Sequence, residues 1–150
     1  MAAGDSKLAQ EYPLQAGKGA YNNSTDTFRI AFVSETYAAI DATAAPFNLS
    51  LVTPVSGGNF PATPTALTSV TWTRTGAVSK LDYADLTTIA KNASNPATIR
   101  CAVIYNDTST SDDIYKVVDL TSDGTTAIDV VTNDFDYSVN ASGSVTGTVV

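Results

Sequence analysis

Histidine is absent from the chain, and cysteine, tryptophan and methionine occur once each. Without an imidazole, no Ser-His-Asp or Cys-His nucleophilic arrangement can be assembled within one chain, and zinc sites of the Cys/His kind are excluded with them. Cys101 alone cannot form an intramolecular disulfide. It leads into Ala102-Val103-Ile104, an apolar context that reads as a small buried core residue rather than a reactive thiol. Charge is scarce as well. Asp, Glu, Lys and Arg together make up 15% of the chain, against about 25% in ordinary soluble domains. Only eight residues are Lys or Arg, and the net charge is −7. Phosphate neutralisation needs those cations, so nucleic acid is rejected as a partner. An anionic membrane surface would repel the chain. No apolar run approaches the ~20 residues of a membrane span, and the first seven residues lack the apolar region of a signal peptide. Gly17-Lys18-Gly19 lacks the spacing, the following Ser/Thr and the strand–helix context of a phosphate-binding loop.

What replaces the missing charge is neutral and polar, with threonine at 22 of 150 residues. Thr is β-branched and suits a pleated surface, so the composition is β-rich. Phe28, Ile30 and Phe32 alternate with Arg29 and Ala31 over residues 27–33, the period of a strand. Residues 34–45 read as a short helix or turn ending before Pro46, and residues 47–52 as another strand. Pro54, Gly57-Gly58, Pro61 and Pro64 mark a surface loop. A Thr-rich strand over residues 67–74 places Trp72 inward, Gly76 turns the chain, residues 78–81 read as a strand, and residues 82–90 are ambiguous between helix and strand. Residues 98–105 are nearly continuously apolar at their centre, which implies burial on both faces and a central position. With residues 114–120 they resemble a long-looped hairpin. Ser122-Asp123-Gly124 is a turn, residues 127–131 are a strand, and residues 133–137 break the pattern. Seven or eight short strands of this spacing predict an all-β fold: a single β-sandwich or barrel-like domain. Residues 1–24 lack periodicity and are expected as an extended N-terminal arm, residues 25–137 as the β domain, and residues 138–150 as a last strand or C-terminal arm.

Ten aspartates fall between Asp82 and Asp136. Paired carboxylates can hydrolyse glycosides, but nearly all of these lie in expected turns, where Asp bonds nearby backbone amides. Asp107, Asp112 and Asp113 share one loop whose spacing is not that of an EF-hand, so a solvated acidic loop is favoured over Ca²⁺. Phe135 and Tyr137 are expected in core packing or a subunit contact. Six Asn-x-Ser/Thr sequons, beginning at Asn22, Asn23, Asn48, Asn92, Asn106 and Asn140, are expected by-products of an Asn-, Ser- and Thr-rich composition.

The order of segments resembles a family of small virion structural proteins of tailed bacteriophages, of the head-decoration or capsid-cement type. The resemblance is carried by residues 26–33, then Tyr37 and Ile40-Asp41, residues 67–70, Leu81-Asp82-Tyr83-Ala84-Asp85-Leu86, the run Ala102-Val103-Ile104-Tyr105-Asn106-Asp107-Thr108, and residues 118–124. It spans residues 26–131, and the Ala102–Thr108 run is its most specific part. Leu86-Thr87-Thr88 stands where family members carry Val-Thr-Trp, and Ser56-Gly57-Gly58 is shorter than their glycine-rich stretch. The resemblance implies a non-enzymatic protein that needs no cofactor. It would be made in the bacterial cytoplasm and carried on the virion's capsid surface. There it would bind the major capsid protein on the outside of the head and stabilise contacts between capsid subunits. A homo-oligomer is implied, with a trimer favoured, and neither nucleic acid nor membrane is a partner. The alternatives are a tail, neck or fibre component and a carbohydrate-binding β-sandwich module. Strand-forming arms can add to a neighbour's sheet edge, and many small contacts repeated by symmetry bind strongly. The expected contact residues are therefore Leu8, Tyr12, Leu14 and Tyr21 in the first arm and Val145 and Val149 in the second.

Overall fold

The structure, a computed structural model, describes residues 4–75, 78–139 and 145–150. Its organising element is strand β6 (Cys101–Asn106), in which every residue is buried. β6 lies between β2 (Phe28–Val33) and β7 (Asp113–Asp119), antiparallel to both. β1 (Ser6–Leu8) pairs with the outer side of β7, and β3 (Thr65–Ala66) with the outer side of β2. The sheet order is β1-β7-β6-β2-β3. The register sets Phe28, Ile30 and Phe32 opposite Asn106, Ile104 and Ala102 on one face. It sets Ala31 and Val33 opposite Val103 and Cys101 on the other. Opposed residues share a face, so both faces of β6 are largely apolar and both must be covered.

Two hairpins cover the first face. β4 (Thr71–Thr75) pairs with β5 (Val78–Asp82), and β8 (Phe135–Val139) with β9 (Val145–Val149). Phe32 meets Phe60, Phe135 and Tyr137 edge-on, with ring centroids 5.2, 5.6 and 6.3 Å away. Trp72 of β4 sits 6.3 Å from Phe28 and 5.3 Å from Tyr115. Each such ring contributes roughly 1.5–3 kcal/mol by leaving water. Tyr115 reaches this cluster through a β-bulge. The β6/β7 register slips between Ile104 and Tyr105, pairing them with Lys116 and Ile114, so Tyr115 is the extra residue. On the opposite face, Lys7 of β1 ties down the segment after β2 by donating to the carbonyls of Tyr37 and Ile40.

The fold is all-β, as the composition and alternation predict, with nine strands and one short helix, α1 (Tyr12–Gly17), among the described residues. Residues 83–90, read as helix or strand, form neither and meet the β8–β9 hairpin at one bridge, Ile89 to Phe135, and three further segments of the expected β domain depart from expectation. Residues 47–52 form a 3₁₀ turn (Leu49–Leu51) capped by Asn48, and Leu51 points to solvent. Residues 127–131 form no strand, because the Asp129 carboxylate accepts the N–H groups of Val131 and Thr132 and curls the chain. Residues 133–137, expected as a break, contain the start of β8, whose Phe135 and Tyr137 are core residues. The tail folds as the last strand, β9. The Gly76 turn and the Asn140 sequon lie outside the described residues.

Most connections are built from one device. Asn22, Asp41, Asn48, Asn92, Asn106, Asp119 and Asp123 each accept, on a side-chain oxygen, the N–H two residues on. The hydroxyls of Ser24, Thr43, Ser50 and Thr121 donate to the same oxygens. These are Asx turns reinforced by a Ser or Thr, which let the chain reverse without glycine. The sequons at Asn22, Asn48, Asn92 and Asn106 are therefore turn elements. At three carboxylates such bonds favour the charged form. Bonds from Thr43, Thr126 and Thr132 hydroxyls, followed by backbone amides, pull the pKa values of Asp41, Asp123 and Asp129 below the usual range. A depressed folded-state pKa contributes stability above the unfolded value of about 4, and that stability is lost as pH falls through the folded value. The urea midpoint should thus fall between pH 6 and pH 3. The D123N/D129N double variant, whose amide oxygens keep the backbone N–H bonds and whose Nδ2 groups meet the Thr126 and Thr132 hydroxyls as donors, should lose less over the same interval.

Asn95 joins three regions. Its Nδ2 donates to the carbonyls of Ala90 and Val130 at 3.1 and 2.8 Å, and its Oδ1 accepts the Asn59 N–H at 2.8 Å. The loop tip rests directly on it: a Cβ on Gly58, which has φ +56°, would meet Asn95 Oδ1 at 2.4 Å. Asn95 is 5% exposed, so its removal leaves partners desolvated and unpaired. Asn95→Ala should cost about 2–3 kcal/mol in equilibrium urea unfolding.

Candidate interaction surface

The segment expected as a free arm is docked on its own domain. β1 sets Ser6 opposite Val118, Lys7 opposite Val117 and Leu8 opposite Lys116. Asp119 N–H donates to Asp5 O at 2.8 Å and Ala9 N–H to Tyr115 O at 3.0 Å. Bonding at these alternate positions directs the N–H and C=O of Ser6 and Leu8 to the outside, where β1 forms an edge of the sheet. The physical reason for docking is Lys7. Its ammonium donates to two backbone carbonyls and stands 4.5 Å from the centroid of the Tyr37 ring. Burial lowers its pKa, while Cys101 and Asp41 act in the opposite direction.

α1 follows, with Pro13 in its first turn. Six residues are too few to be helical alone, so the helix is held by Tyr12. That side chain is 4% exposed, stacks on Tyr21 at 4.7 Å, meets Tyr115 edge-on at 4.9 Å and donates to Asn23 Oδ1 at 2.8 Å. Tyr21 in turn donates to Asp113 Oδ2 at 2.7 Å. Burial pushes both phenols well above the ordinary tyrosine value, and for Tyr21 the bond to Asp113 adds to it. Both hydroxyls therefore stay protonated and act as donors. Between α1 and the loop after β6 lies a polar cleft of about 330 Å³, walled by Glu11, Gln15, Tyr21, Pro46, Ser109 and Asp113 among others.

The six expected contact residues separate clearly. Leu8 and Leu14 are 49% and 55% exposed, two of the four exposed large apolar side chains among the described residues. Tyr12 is a core residue instead, because it anchors α1. Tyr21 is half-buried and forms a wall of the cleft. Val149 is half-buried in β9 opposite Phe135, and the Val145 side chain lies outside the described residues. The acidic loop is divided rather than gathered. Asp107 forms an ion pair with Arg29 at 2.8 Å, Asp113 holds Tyr21, and Asp112 sits at φ 53°. Among the described residues no group of three His, Cys, Asp or Glu is placed to hold a metal ion. The Cys101 thiol is fully buried, which pushes its pKa up to about 12 and keeps it protonated. No helix among the described residues is long and apolar enough to cross a membrane. The cleft itself was not legible in the sequence. Glu11 and Gln15 carry no signal beyond their spacing of four, and only the fold brings Asp113 to Tyr21.

In comparisons with protein-family models, curated proteins and solved structures, nothing matches the chain.

If Lys7 is the latch, Lys7→Ala should loosen residues 4–16 while leaving β6 and β7 intact. Hydrogen exchange should show protection of that segment falling by the equivalent of about 1–2 kcal/mol, discounted for the partial exposure of Lys7.

Proposed function

We propose that this chain is a virion structural protein, a decoration protein that binds the outer surface of a tailed-phage head and stabilises contacts between major capsid subunits. The observation that carries the reading is the placement of Leu8 and Leu14. Two exposed leucines stand on one docked N-terminal segment, one on the open sheet edge and one on the short helix. Exposed apolar side chains beside unpaired strand groups suit attachment to another protein. The resemblance to head-decoration proteins supports the same reading. Its most specific run forms the central strand β6 and the Asx turn at Asn106, so it marks the scaffold that presents the surface. The acidic surface, at net charge −7, favours solubility before assembly.

The reading is tested by the copy number of the protein in purified virions, measured by mass spectrometry against the major capsid protein. A ratio near one copy per capsid subunit, or a fixed large fraction of it, is expected. A few copies, or dozens in multiples of six, would place the protein in the neck or tail, and its absence from particles would overturn the virion reading. With the wild type bound, the L8S/L14S variant should occupy heads at least tenfold less well at equal concentration. This matches the roughly 1.5–3 kcal/mol carried by each buried leucine.

A further inference from the structure

We infer that the cleft between α1 and the loop after β6 receives an arginine side chain presented by the binding partner, an inference that rests on the decoration reading for the partner's identity. The cleft holds about 330 Å³ and, among the described residues, no Lys or Arg contributes to its wall, while two carboxylates, Glu11 and Asp113, do. Both carboxylates are held in orientation by neutral donors. Gln15 Nε2 donates to Glu11 Oε1 at 2.7 Å, and Tyr21 Oη donates to Asp113 Oδ2 at 2.7 Å. Each keeps a second oxygen with no hydrogen bond among the described residues.

Tyr21 supplies the other half of the site. One side of its ring is taken by Tyr12 at 4.7 Å, and the residue also walls the cleft. A guanidinium is planar, stacks on aromatic faces and forks its N–H groups onto carboxylate oxygens. An ammonium is a point charge and uses only part of this geometry. Pro46 offers an apolar wall for the three-carbon stem. Two carboxylates, one oxygen of each already engaged, fall short of the six to eight oxygens that Ca²⁺ takes. Leu14, exposed on the helix that also carries Gln15, gives the acidic slot an apolar neighbour. An arginine anchor beside an apolar contact is a common centre of a protein interface.

Two measurements test this. First, amide chemical shifts of the full chain are followed during titration with N-acetyl-arginine methylamide, the lysine analogue and methyl glucoside. Shifts confined to Tyr21, α1 and residues 108–113 are expected with the arginine compound, at least tenfold weaker with lysine, and lost in the E11Q/D113N variant. That variant keeps the bonds to Gln15 and Tyr21 through its amide oxygens and should retain the wild-type unfolding midpoint. No shift with the arginine compound, or shifts with the glucoside alone, would overturn the assignment, the latter making the cleft a saccharide site. Second, head occupancy by E11Q/D113N should fall at least tenfold relative to wild type. Unchanged occupancy with wild type bound would sink the inference while leaving the decoration reading intact. Failure of the wild type itself to bind heads would remove the decoration reading, and the titration would still decide the chemistry of the cleft.

Discussion

Burial of β6 on both faces is the constraint from which the remaining structure follows. A strand with Cys101, Val103 and Tyr105 on one side and Ala102 and Ile104 on the other cannot leave either face in water. The chain therefore supplies two covers. One is aromatic, built from Phe60, Trp72, Phe135 and Tyr137 around Phe28 and Phe32. The other is the loop after β2, held through Lys7. The polar residue that ends β6 is admitted with partners. Asn106 is fully buried, donates to Asp26 at 2.6 Å and accepts the N–H groups of Thr108 and Ser109.

The candidate interaction surface is a consequence of this layering. The bulge at Tyr115 turns an aromatic ring toward the N-terminal segment, and Tyr12 and Tyr21 complete a chain of rings that ends at the cleft. Lys7 serves two layers at once, because it belongs to the edge strand yet reaches the loop over the opposite face. The segment that carries the exposed leucines is therefore part of the fold, and its outer side remains available for contact.

The strands legible in the sequence are those whose apolar pattern reflects burial in a fixed register: residues 28–33, 101–106 and 113–119. Pattern alone misled at residues 127–131, where Ile128, Val130 and Val131 suggested a strand but the Asp129 side chain competed successfully for the backbone amides. The alternation of Phe135 and Tyr137 was visible, yet the polar residues around it concealed a strand whose partner is Val145–Val149. The same Asn-, Asp-, Ser- and Thr-rich composition that looked uninformative is the turn system of the molecule. Its signal was the two-residue spacing in Asx-x-Ser/Thr, which appears at Asp41 and Asp119 as well as at the asparagines.

By itself the sequence determined the all-β class, the central place of β6 and the lack of imidazole chemistry, because alternation, β-branching and the absence of a residue type are local properties. It also determined the acidic balance, which is a sum over residues. Only the tertiary structure decided that residues 4–24 dock rather than extend, that Tyr12 is core while Leu8 and Leu14 are exposed, and that Glu11, Tyr21 and Asp113 share one cleft. Those outcomes depend on contacts between residues as far apart as Tyr21 and Asp113. Such contacts are set by strand register, by one bulge and by a lysine reaching across the sheet, none of which has a signature within a window of neighbouring residues.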